Sequence, residues 1–264
     1  MIEVKNVNKS FDEIQVLKNV SVVFETGKTN MIIGQSGSGK TVLMKSIIGL
    51  HRIDSGRIEY DGRNVPDMRM KEVRMLRREV GMLFQGSALF DSMSVLENVM
   101  YPLEMFSDVS NDEMMERALF CLKRVDLQEK SFALSPSEIS GGMQKRVAIA
   151  RAIALQPKYL FCDEPNSGLD PKTSLVIDQL IHEITNEFDI TTIVNSHDMN
   201  SVMEIGDNIV FLHQGELAWQ GNKEDIFHVD NQELNDLVFA SELFKQVKKA
   251  NQKREAADIK KGLA

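Results

Sequence analysis

The chain has 264 residues, of which 42% are hydrophobic and 27% are charged, and this balance excludes an intrinsically disordered protein. The chain has only two cysteines, which excludes a disulfide framework and favours a reducing compartment. No apolar run reaches the ~18–20 residues that span a bilayer. The first residues also lack the apolar core of a signal peptide. We therefore expect a soluble, cytoplasmic protein, and its net charge of −8 argues against nucleic acid as a partner.

Two kinds of β-strand pattern occur along the chain. Residues 2–7 and 20–24 alternate apolar with polar side chains, which predicts antiparallel strands. Four short, continuously apolar runs predict strands buried on both faces, as in a parallel sheet that helices cover. These runs are residues 31–33, 160–162, 192–194 and 209–212. The predicted fold class is α/β, with a mostly parallel sheet and additional antiparallel strands near the N-terminus.

A phosphate-binding pattern, G-x-x-x-x-G-K-S/T, follows the first buried strand and precedes a predicted helix over residues 41–50. Its glycines let backbone N–H groups turn inward, and the helix presents its positive N-terminus to the phosphates. The lysine supplies a point charge for the β- and γ-phosphates, and the threonine hydroxyl is a suitable ligand for Mg²⁺. The residues of this phosphate loop are Gly34, Gln35, Ser36, Gly37, Ser38, Gly39, Lys40 and Thr41.

The middle of the chain, residues 87–156, carries little strand pattern and is predicted to be helical. Ser110 and Glu113 have the spacing of a capping box, and the apolar residues after them recur at helical spacing. We predict a helical subdomain over these residues, inserted into a nucleotide-binding core that consists of residues 1–86 and 157–221.

Two acidic residues follow the predicted strand at residues 160–162. Asp163 lies where a carboxylate can hold Mg²⁺, directly or through water. Glu164 lies one residue further, where it can orient and polarise an attacking water. Two carboxylates at the solvent end of a strand can also be purely structural, but the phosphate loop favours the catalytic interpretation. The chain lacks an N/T-K-x-D base-reading motif, which argues against a GTPase.

The rest of the chain adds predicted helices and a basic C-terminal tail to these strands. Asp170, with a proline after it, predicts the start of a helix over residues 171–188. Residues 233–249 predict an amphipathic helix that packs on its own domain or on a partner. Residues 245–264 hold seven basic and two acidic residues, a net charge of +5, so this basic tail is either a solvated end or a contact for an anionic membrane or a partner. The predicted C-terminal extension is residues 222–264.

Several polar motifs follow one another in a fixed order along the chain after the phosphate loop. They are Gln85, Ser140-Gly141-Gly142, Asp163-Glu164, Ser167-Gly168-Leu169-Asp170 and His197. With this order of motifs, the chain resembles the ATP-binding subunit of an ABC transporter from about residue 2 to residue 221. The resemblance implies a P-loop ABC ATPase core with an inserted helical subdomain, and ATP and Mg²⁺ as cofactors.

The resemblance also implies a role for each motif. Two subunits close head to tail around two ATP molecules. Ser140, Gly141 and Gly142 of one subunit, which precede a predicted helix over 145–155, then face the γ-phosphate that the other subunit holds. Gln85 contacts Mg²⁺ or the attacking water, and His197 donates a hydrogen bond to the γ-phosphate.

Three positions leave alternatives open or depart from the family. Asp170 matches the family's inter-subunit aspartate and also suits a helix N-cap. Phe11 lies where an aromatic ring stacks on adenine, in place of the commoner tyrosine, although a core phenylalanine fits the same pattern. Met143 replaces the glutamine of the usual L-S-G-G-Q signature, and it is open whether Gln144 takes over its hydrogen bonds. Neither departure touches the hydrolytic groups, so we expect an active ATPase.

The segment around Gln85 carries a finer resemblance. Residues 84–95, 97–99 and 101–103, with 137–143, resemble the ATP-binding subunit of Mla/Mce-type phospholipid transporters. This implies an integral membrane permease, a second copy of the chain and an Mce-type lipid-binding subunit as partners, no nucleic acid, and a place at the cytoplasmic face of a bacterial inner membrane. The alternatives are the ATPase of an importer for a small polar solute such as an amino acid, and a soluble ABC protein outside transport.

Overall fold

The strands form two sheets in a computed structural model, which describes residues 1–242 and 244–250. In chain order they are β1 (Ile2–Phe11), β2 (Ile14–Phe24), β3 (Thr29–Ile33), β4 (Ser55–Tyr60), β5 (Arg63–Asn64), β6 (Val80–Leu83), β7 (Tyr159–Asp163), β8 (Thr191–Asn195), β9 (Asn208–His213) and β10 (Glu216–Gly221). The four continuously apolar runs lie in β3, β7, β8 and β9, so the predicted buried strands are confirmed.

Helices pack against the larger of the two sheets. In chain order they are α1 (Lys40–Ile47), α2 (Met70–Arg78), α3 (Val95–Phe106), α4 (Asn111–Arg124), α5 (Gly141–Ile153), α6 (Pro171–Glu187), α7 (Met199–Ile205) and α8 (Gln232–Val238). Residues 244–250 are helical as well. Within the part of the chain that the structure describes, no helix has both the length and the apolar character needed to cross a membrane.

The larger sheet decides where a ligand can bind. Its strand order is β10-β9-β3-β8-β7-β6, and all neighbouring strands are parallel except β9 and β10. β3, β8 and β7 are therefore adjacent and point in one direction. The loops after them begin at Gly34, Ser196 and Glu164 and leave the sheet from one edge, which is the edge where open parallel sheets bind ligands.

The smaller sheet is antiparallel and has the order β2-β1-β4-β5. β1 and β2 extend beyond the predicted 2–7 and 20–24. The sequence pattern misses the extensions because shifts of register interrupt the alternation, with Asn6 and Asn19 in the left-handed region at φ values of 50° and 51°. The sequence of β4 shows no clear alternation of apolar and polar residues, because most of its side chains are not buried.

Two hydrophobic clusters lie on the two faces of the larger sheet. In β3, Met31 and Ile33 belong to one cluster and Ile32 to the other. The first cluster also holds buried side chains of α3, α4 and α5, and α5 contacts β6 of the sheet while α3 and α4 pack on α5. The second cluster joins the sheet to α1 and to the smaller sheet. The division of the chain into a core and a subdomain over residues 87–156 stays a prediction.

Polar side chains begin the helices near the site. Asp170 caps α6, which ends one residue before the predicted 171–188 helix. Ser110 caps α4, and its Oγ accepts a hydrogen bond from the N–H of Glu113 at 3.3 Å, as the capping box predicts. α3 has no counterpart among the predicted helices, because Pro102 lies inside it and interrupts the pattern of good helix formers.

The C-terminal extension differs from the single helix predicted over residues 233–249. α8 ends at Val238, residues 239–241 are not helical, and a helix resumes over residues 244–250. Phe239 is only 6% exposed, and it belongs to the first hydrophobic cluster. A helix that continued without interruption would fix the direction of the Phe239 side chain by its periodicity. The helix instead ends at Val238, and the Phe239 ring enters the core.

The extension packs on its own chain. Leu234 and Val238 of α8 are buried, and Lys248 lies with its Nζ 4.4 Å from the ring centroid of Phe239 while donating a hydrogen bond to Asn235 Oδ1. For α8 this decides between the two predicted alternatives, its own domain or a partner. The remainder of the basic tail, residues 251–264, lies outside the described residues.

Candidate nucleotide-binding site

The loop between β3 and α1 requires glycine at two positions. Gly34 has a φ of 154°, and a Cβ there would lie 2.4 Å from the Leu212 carbonyl oxygen and 2.5 Å from Ser38 Oγ. Gly39 is the N-cap residue of α1 and lies in the left-handed region at a φ of 104°. The backbone therefore wraps closely around the N-terminus of α1, where unpaired N–H groups and the helix dipole favour an anion.

Lys40 spans this loop from the first turn of α1. Its Nζ donates hydrogen bonds to the carbonyl oxygens of Gly34 at 2.8 Å and Gln35 at 3.1 Å. Burial lowers the pKa of Lys40, and the nearby carboxylates of Glu164 and Asp163 oppose that shift. The ammonium group of this buried residue is thus held on neutral carbonyls, where a phosphate oxygen would give it an anionic partner.

An open cleft of about 510 Å³ lies over the loop, a size within the ~300–1,000 Å³ range of ligand pockets. Inside the loop, Ser38 Oγ is buried and has no hydrogen-bond partner, which fits a site completed by a polar ligand. The residues that line the cleft are Val16, Ser36, Gly37, Ser38, Gly39, Lys40, Thr41, Val42, Gln85, Glu164 and His197.

The two predicted acidic residues lie in different environments. Asp163 ends β7, and its Oδ1 accepts a hydrogen bond from Asn195 Nδ2 at 3.0 Å. Glu164 begins the loop with a φ of 49°, in the left-handed region, and its N–H donates to the Asn195 carbonyl oxygen at 3.0 Å. Glu164 Oε2 lies 2.7 Å from His197 Nδ1. The sheet thus brings Glu164 and His197 together at the cleft.

The proposed magnesium ligands are compatible with a metal held mainly by the nucleotide. Thr41 and Gln85 line the cleft, whereas Asp163 lies behind it and holds Asn195. Asn195 Oδ1 is buried without a partner. Among the described residues, no group of three or more His, Cys, Asp or Glu side chains is placed to hold a metal. The side-chain oxygens of Thr41 and Gln85 at the cleft suit Mg²⁺, which retains waters and binds phosphate oxygens beside one or two protein ligands.

Gln85 follows β6 and connects two parts of the site. Its Nε2 donates a hydrogen bond to Ser167 Oγ at 3.3 Å, in the loop after Glu164. Its carbonyl oxygen accepts a hydrogen bond from Nζ of Lys145, a buried residue of α5. Burial lowers the pKa of Lys145. Gln85 is therefore held by its backbone to α5 and by its side chain to the loop after Glu164.

A second cation of α5 holds the next residues. Arg151 donates to the carbonyl oxygens of Ser87 and Ala88, both at 2.7 Å. Ser87 and Ala88 lie in the left-handed region at φ values of 62° and 48°, a conformation that costs free energy in residues other than glycine. The arginine offsets this cost, so α5 and the segment after Gln85 are expected to move as one body.

The signature residues lie apart from the cleft over the phosphate loop. Ser140 is exposed and caps α5, its Oγ accepting the N–H of Met143 at 3.3 Å. α5 consequently begins at Gly141, earlier than the predicted helix start at residue 145. The side chain of Gln144 donates to the Pro136 carbonyl oxygen at 2.9 Å.

A second open cleft contains the signature. Ser140, Gly141 and Gly142 line it together with Asp170 and Thr173. Asp170 Oδ1 accepts the N–H groups of Lys172 and Thr173, and the Thr173 hydroxyl holds the pKa of Asp170 below its usual value. Asp170 is thus an N-cap, as predicted, and it also faces the signature. The two clefts share no lining residue.

Phe11 does not line either cleft. It lies at the end of β1, 40% exposed, with Lys9 Nζ 4.9 Å from its ring centroid and His51 in an edge contact at 5.2 Å. Val16, in the opposite strand β2, lines the cleft instead. The exposure of the Phe11 ring argues against a role in the hydrophobic core. The stacking of Phe11 on adenine stays a prediction.

Three supporting residues have no place in the sequence-based predictions. Asn195 is a polar residue at the end of a buried strand, and that position is the signal that would have identified it. Lys145 and Arg151 are charged residues among the buried apolar positions of α5. A charge on an apolar helix face predicts a buried hydrogen bond, but it does not identify the carbonyl groups that accept it.

Comparisons with known proteins identify the family of this chain. A family model described as ABC transporter matches residues 17–167. The methionine import ATP-binding protein MetN of Clostridioides difficile (strain 630) is 40% identical over 238 residues, which cover 90% of this chain and 74% of that protein. The probable ribonucleotide transport ATP-binding protein mkl of Mycobacterium leprae (strain TN) is 37% identical over 231 residues, which cover 87% and 66%.

A solved structure shows the same fold with a nucleotide bound. It is a dimeric ATP-binding cassette in a post-hydrolysis state with ADP and Pi, and it has 35% sequence identity, a TM-score of 0.76, and coverage of 84% of this chain and 99% of that chain. The family match spans more than half of the chain. This protein therefore belongs to the ABC transporter family, as an ATP-binding subunit with ATPase activity.

Proposed function

We propose that the chain hydrolyses ATP as one half of a head-to-tail dimer and drives a separate integral membrane permease. The observation that carries this proposal is the separation of the two clefts. Lys40 lies in one, and Ser140 at the N-terminus of α5 lies in the other. A second copy can bring its signature to the phosphates that the first copy holds. The dimeric relative bound to ADP and Pi supports this arrangement.

In the proposed mechanism, the phosphate loop binds and orients ATP. Backbone N–H groups at the start of α1 and the ammonium group of Lys40 hold the β- and γ-phosphates. Thr41, Gln85 and Asp163 are the residues that would hold Mg²⁺. The metal supplies positive charge that neutralises the charge developing on the phosphates.

Glu164 and His197 act at the γ-phosphate. Glu164 is placed to accept a hydrogen bond from the attacking water and to orient it in line with the bond that breaks. His197 Nδ1 faces Glu164, so donation of a second hydrogen bond from Nε2 to the γ-phosphate requires the imidazolium form, in which both ring nitrogens carry a proton. The signature of the second copy then adds a serine hydroxyl and helix N–H groups on the opposite side.

A mixing experiment tests whether the site is shared between copies. Lys40→Ala and Ser140→Arg each inactivate one motif, so each homodimer has two damaged sites. A mixed dimer pairs an intact Lys40 of one subunit with an intact Ser140 of the other. We expect ATPase activity to appear when the two purified variants are mixed. No gain on mixing, with mixed dimers verified by differently tagged subunits, would contradict the head-to-tail arrangement.

For the transported solute, we propose a small polar molecule such as an amino acid, with methionine as the first compound to test. The name of the 40% identical relative supports this choice over phospholipid. The complex would be purified from membranes with its permease, reconstituted in vesicles and assayed for ATP-dependent methionine uptake. Absence of uptake, with ATPase activity intact, would count against an amino acid as the solute.

Phospholipid transport is the second candidate, and residues 84–95 with Met143 favour it through their resemblance to Mla/Mce-type subunits. The permease of such a system would associate with an Mce-type lipid-binding subunit. In this segment Phe84 and Phe90 are about 40% exposed, a surface suited to a permease helix at the cytoplasmic face of the membrane. Movement of fluorescent phospholipid by the same vesicles, without methionine uptake, would favour this candidate.

A further inference from the structure

Asp178 is a buried carboxylate that the proposed reaction does not use. It lies on α6, its residue is only 1% exposed, and no lysine, arginine or histidine in the described residues pairs with it. Burial raises the pKa of Asp178 to about 6. A buried carboxylate without a cation is unfavourable for stability, and an apolar or amide side chain at the same place would avoid this cost.

The partners of Asp178 come from two other elements. Asn166 Nδ2 donates hydrogen bonds to Asp178 Oδ1 at 2.8 Å and to Ser201 Oγ at 3.0 Å. Ser201 also lies close enough to the Asp178 carboxylate to lower its pKa. These three side chains form a cluster that Asn166 holds together through both of its N–H groups. We call it the Asn166–Asp178–Ser201 cluster.

The cluster connects the two segments that carry the reacting groups. Asn166 follows Glu164 by two residues, and Ser201 follows His197 by four. The direct contact between these segments is the 2.7 Å pair of Glu164 and His197, and His197 is mostly exposed. The Asn166–Asp178–Ser201 cluster is a second connection between the same two segments.

We propose that Asp178 is a positioning residue for ATP hydrolysis, which holds Asn166 and Ser201 so that Glu164 and His197 keep their relative places at the cleft. The proposal rests on the roles proposed above for Glu164 and His197. Asp178 touches neither the nucleotide nor the water in this arrangement. It acts through the two segments that carry Asn166 and Ser201.

The ionised form of Asp178 is the one that positions these segments, since its carboxylate accepts the hydrogen bond from Asn166, which also donates to Ser201. Other charged or titratable groups that face it are Asp198 and Glu204 at the two ends of α7, which raise its pKa further, and the Cys162 thiol of β7. Protonation below about pH 6 would replace an acceptor by a donor. The turnover number kcat should therefore fall as pH falls through this range.

Exchanging the two side chains tests the proposal. Asn166→Asp places two carboxylates in contact, and we expect kcat to fall about 10- to 100-fold, the range for reacting groups displaced by about 1 Å. Asp178→Asn should lower kcat about 3-fold at pH 7.5. The double variant N166D/D178N restores an amide–carboxylate hydrogen bond with the partners exchanged, and we expect kcat within about 3-fold of the original.

The controls separate positioning from general damage. Gln179→Glu changes the charge of the next residue of α6, which is exposed, and it should leave kcat unchanged. The Kd for a fluorescent ATP analogue should stay the same in all variants, because the phosphate loop is intact. The kcat of D178N divided by the kcat of the original protein should rise from pH 7.5 to pH 5.5, since the introduced amide does not titrate whereas Asp178 does.

Two results would overturn the proposal. One is a double variant no more active than N166D although it binds nucleotide normally. The other is a D178N ratio that does not change with pH. Glu164→Gln, assayed in parallel, keeps the tests separate: normal turnover in that variant contradicts the role of Glu164, whereas slow turnover with no rescue by the exchange contradicts only the role of Asp178.

Discussion

The two clefts are built from different kinds of contact. The cleft over the phosphate loop joins residues far apart in sequence, with Glu164 paired to His197 and Asp163 held by Asn195 across neighbouring strands. The signature cleft is made by helix starts whose polar groups bond within a few residues, such as Ser140 to Met143. The sheet assembles the first cleft, whereas the second consists of locally capped helix starts that tertiary packing brings side by side.

This difference teaches where a substitution should act. A change in the phosphate-loop cleft affects nucleotide binding or the chemical step in each subunit by itself. A change in the signature cleft leaves the nucleotide site of its own subunit intact and acts on the partner's site. The following predictions test that contrast, from the largest expected effect to the smallest.

Glu164→Gln should have the largest effect. The amide keeps the shape of the side chain but does not accept a proton from water, so we expect ATP turnover to fall by about 10²–10⁴-fold. ATP binding should persist and trap a dimer, measured by size-exclusion chromatography with and without ATP. Normal turnover in this variant would remove Glu164 from the reaction.

Lys40→Ala should act on binding. Loss of the ammonium group removes a charge-assisted hydrogen bond of about 1.5–3 kcal/mol, so the Kd for ATP should rise about 10- to 100-fold in the monomer. Lys172→Ala, an exposed lysine next to the other cleft, is the matched control and should keep the original Kd. Equal affinity for ATP in the Lys40 and Lys172 variants would disprove the predicted phosphate loop.

Asp178→Asn should change stability with a definite dependence on pH. The pKa of Asp178 is about 6 in the folded protein against 3.8 for the usual carboxyl, so its ionisation lowers stability as pH rises through this interval. At about 1.4 kcal/mol per unit, removing the charge should raise the free energy of unfolding by up to about 3 kcal/mol at pH 7.5.

The gain in D178N should shrink toward pH 4, as urea unfolding at several pH values would measure. Asp170 gives the opposite sign, since local hydrogen bonds lower its pKa and its contribution to stability is lost as pH falls through the folded value. A gain in D178N that is independent of pH would contradict this assignment of the buried charge.

Ser140→Ala should have the smallest effect on stability of these variants. It also gives the most direct test of the difference between the two clefts. The hydroxyl caps α5, so its loss should cost about 1 kcal/mol of stability. ATP binding by the monomer should not change, whereas turnover should fall about 10-fold if one hydrogen bond to the partner's γ-phosphate is lost. A weakened ATP affinity in the isolated subunit would break the distinction between the two clefts.

The sequence predicts the parts of the fold that depend on local patterns. The buried strands, the helix that begins after Asp170 and the capping box of Ser110 follow from periodicity and capping within a few residues. The predicted single C-terminal helix over 233–249 is wrong because Phe239 leaves the helix to enter the core. No local pattern contains that information, since the core it enters is made by other segments.

By itself, the amino-acid sequence determined the phosphate loop, the acidic pair, the signature and their order, because each depends on neighbouring residue types. Only the tertiary structure decided that Glu164 meets His197, that α5 holds Gln85 through Lys145, and that the signature opens on a separate cleft. It also placed Asp178 against two other segments, through an Asn166 bonded across 12 residues to Asp178 and across 35 residues to Ser201. Such contacts depend on the order and direction of strands, which the packing of the whole chain sets.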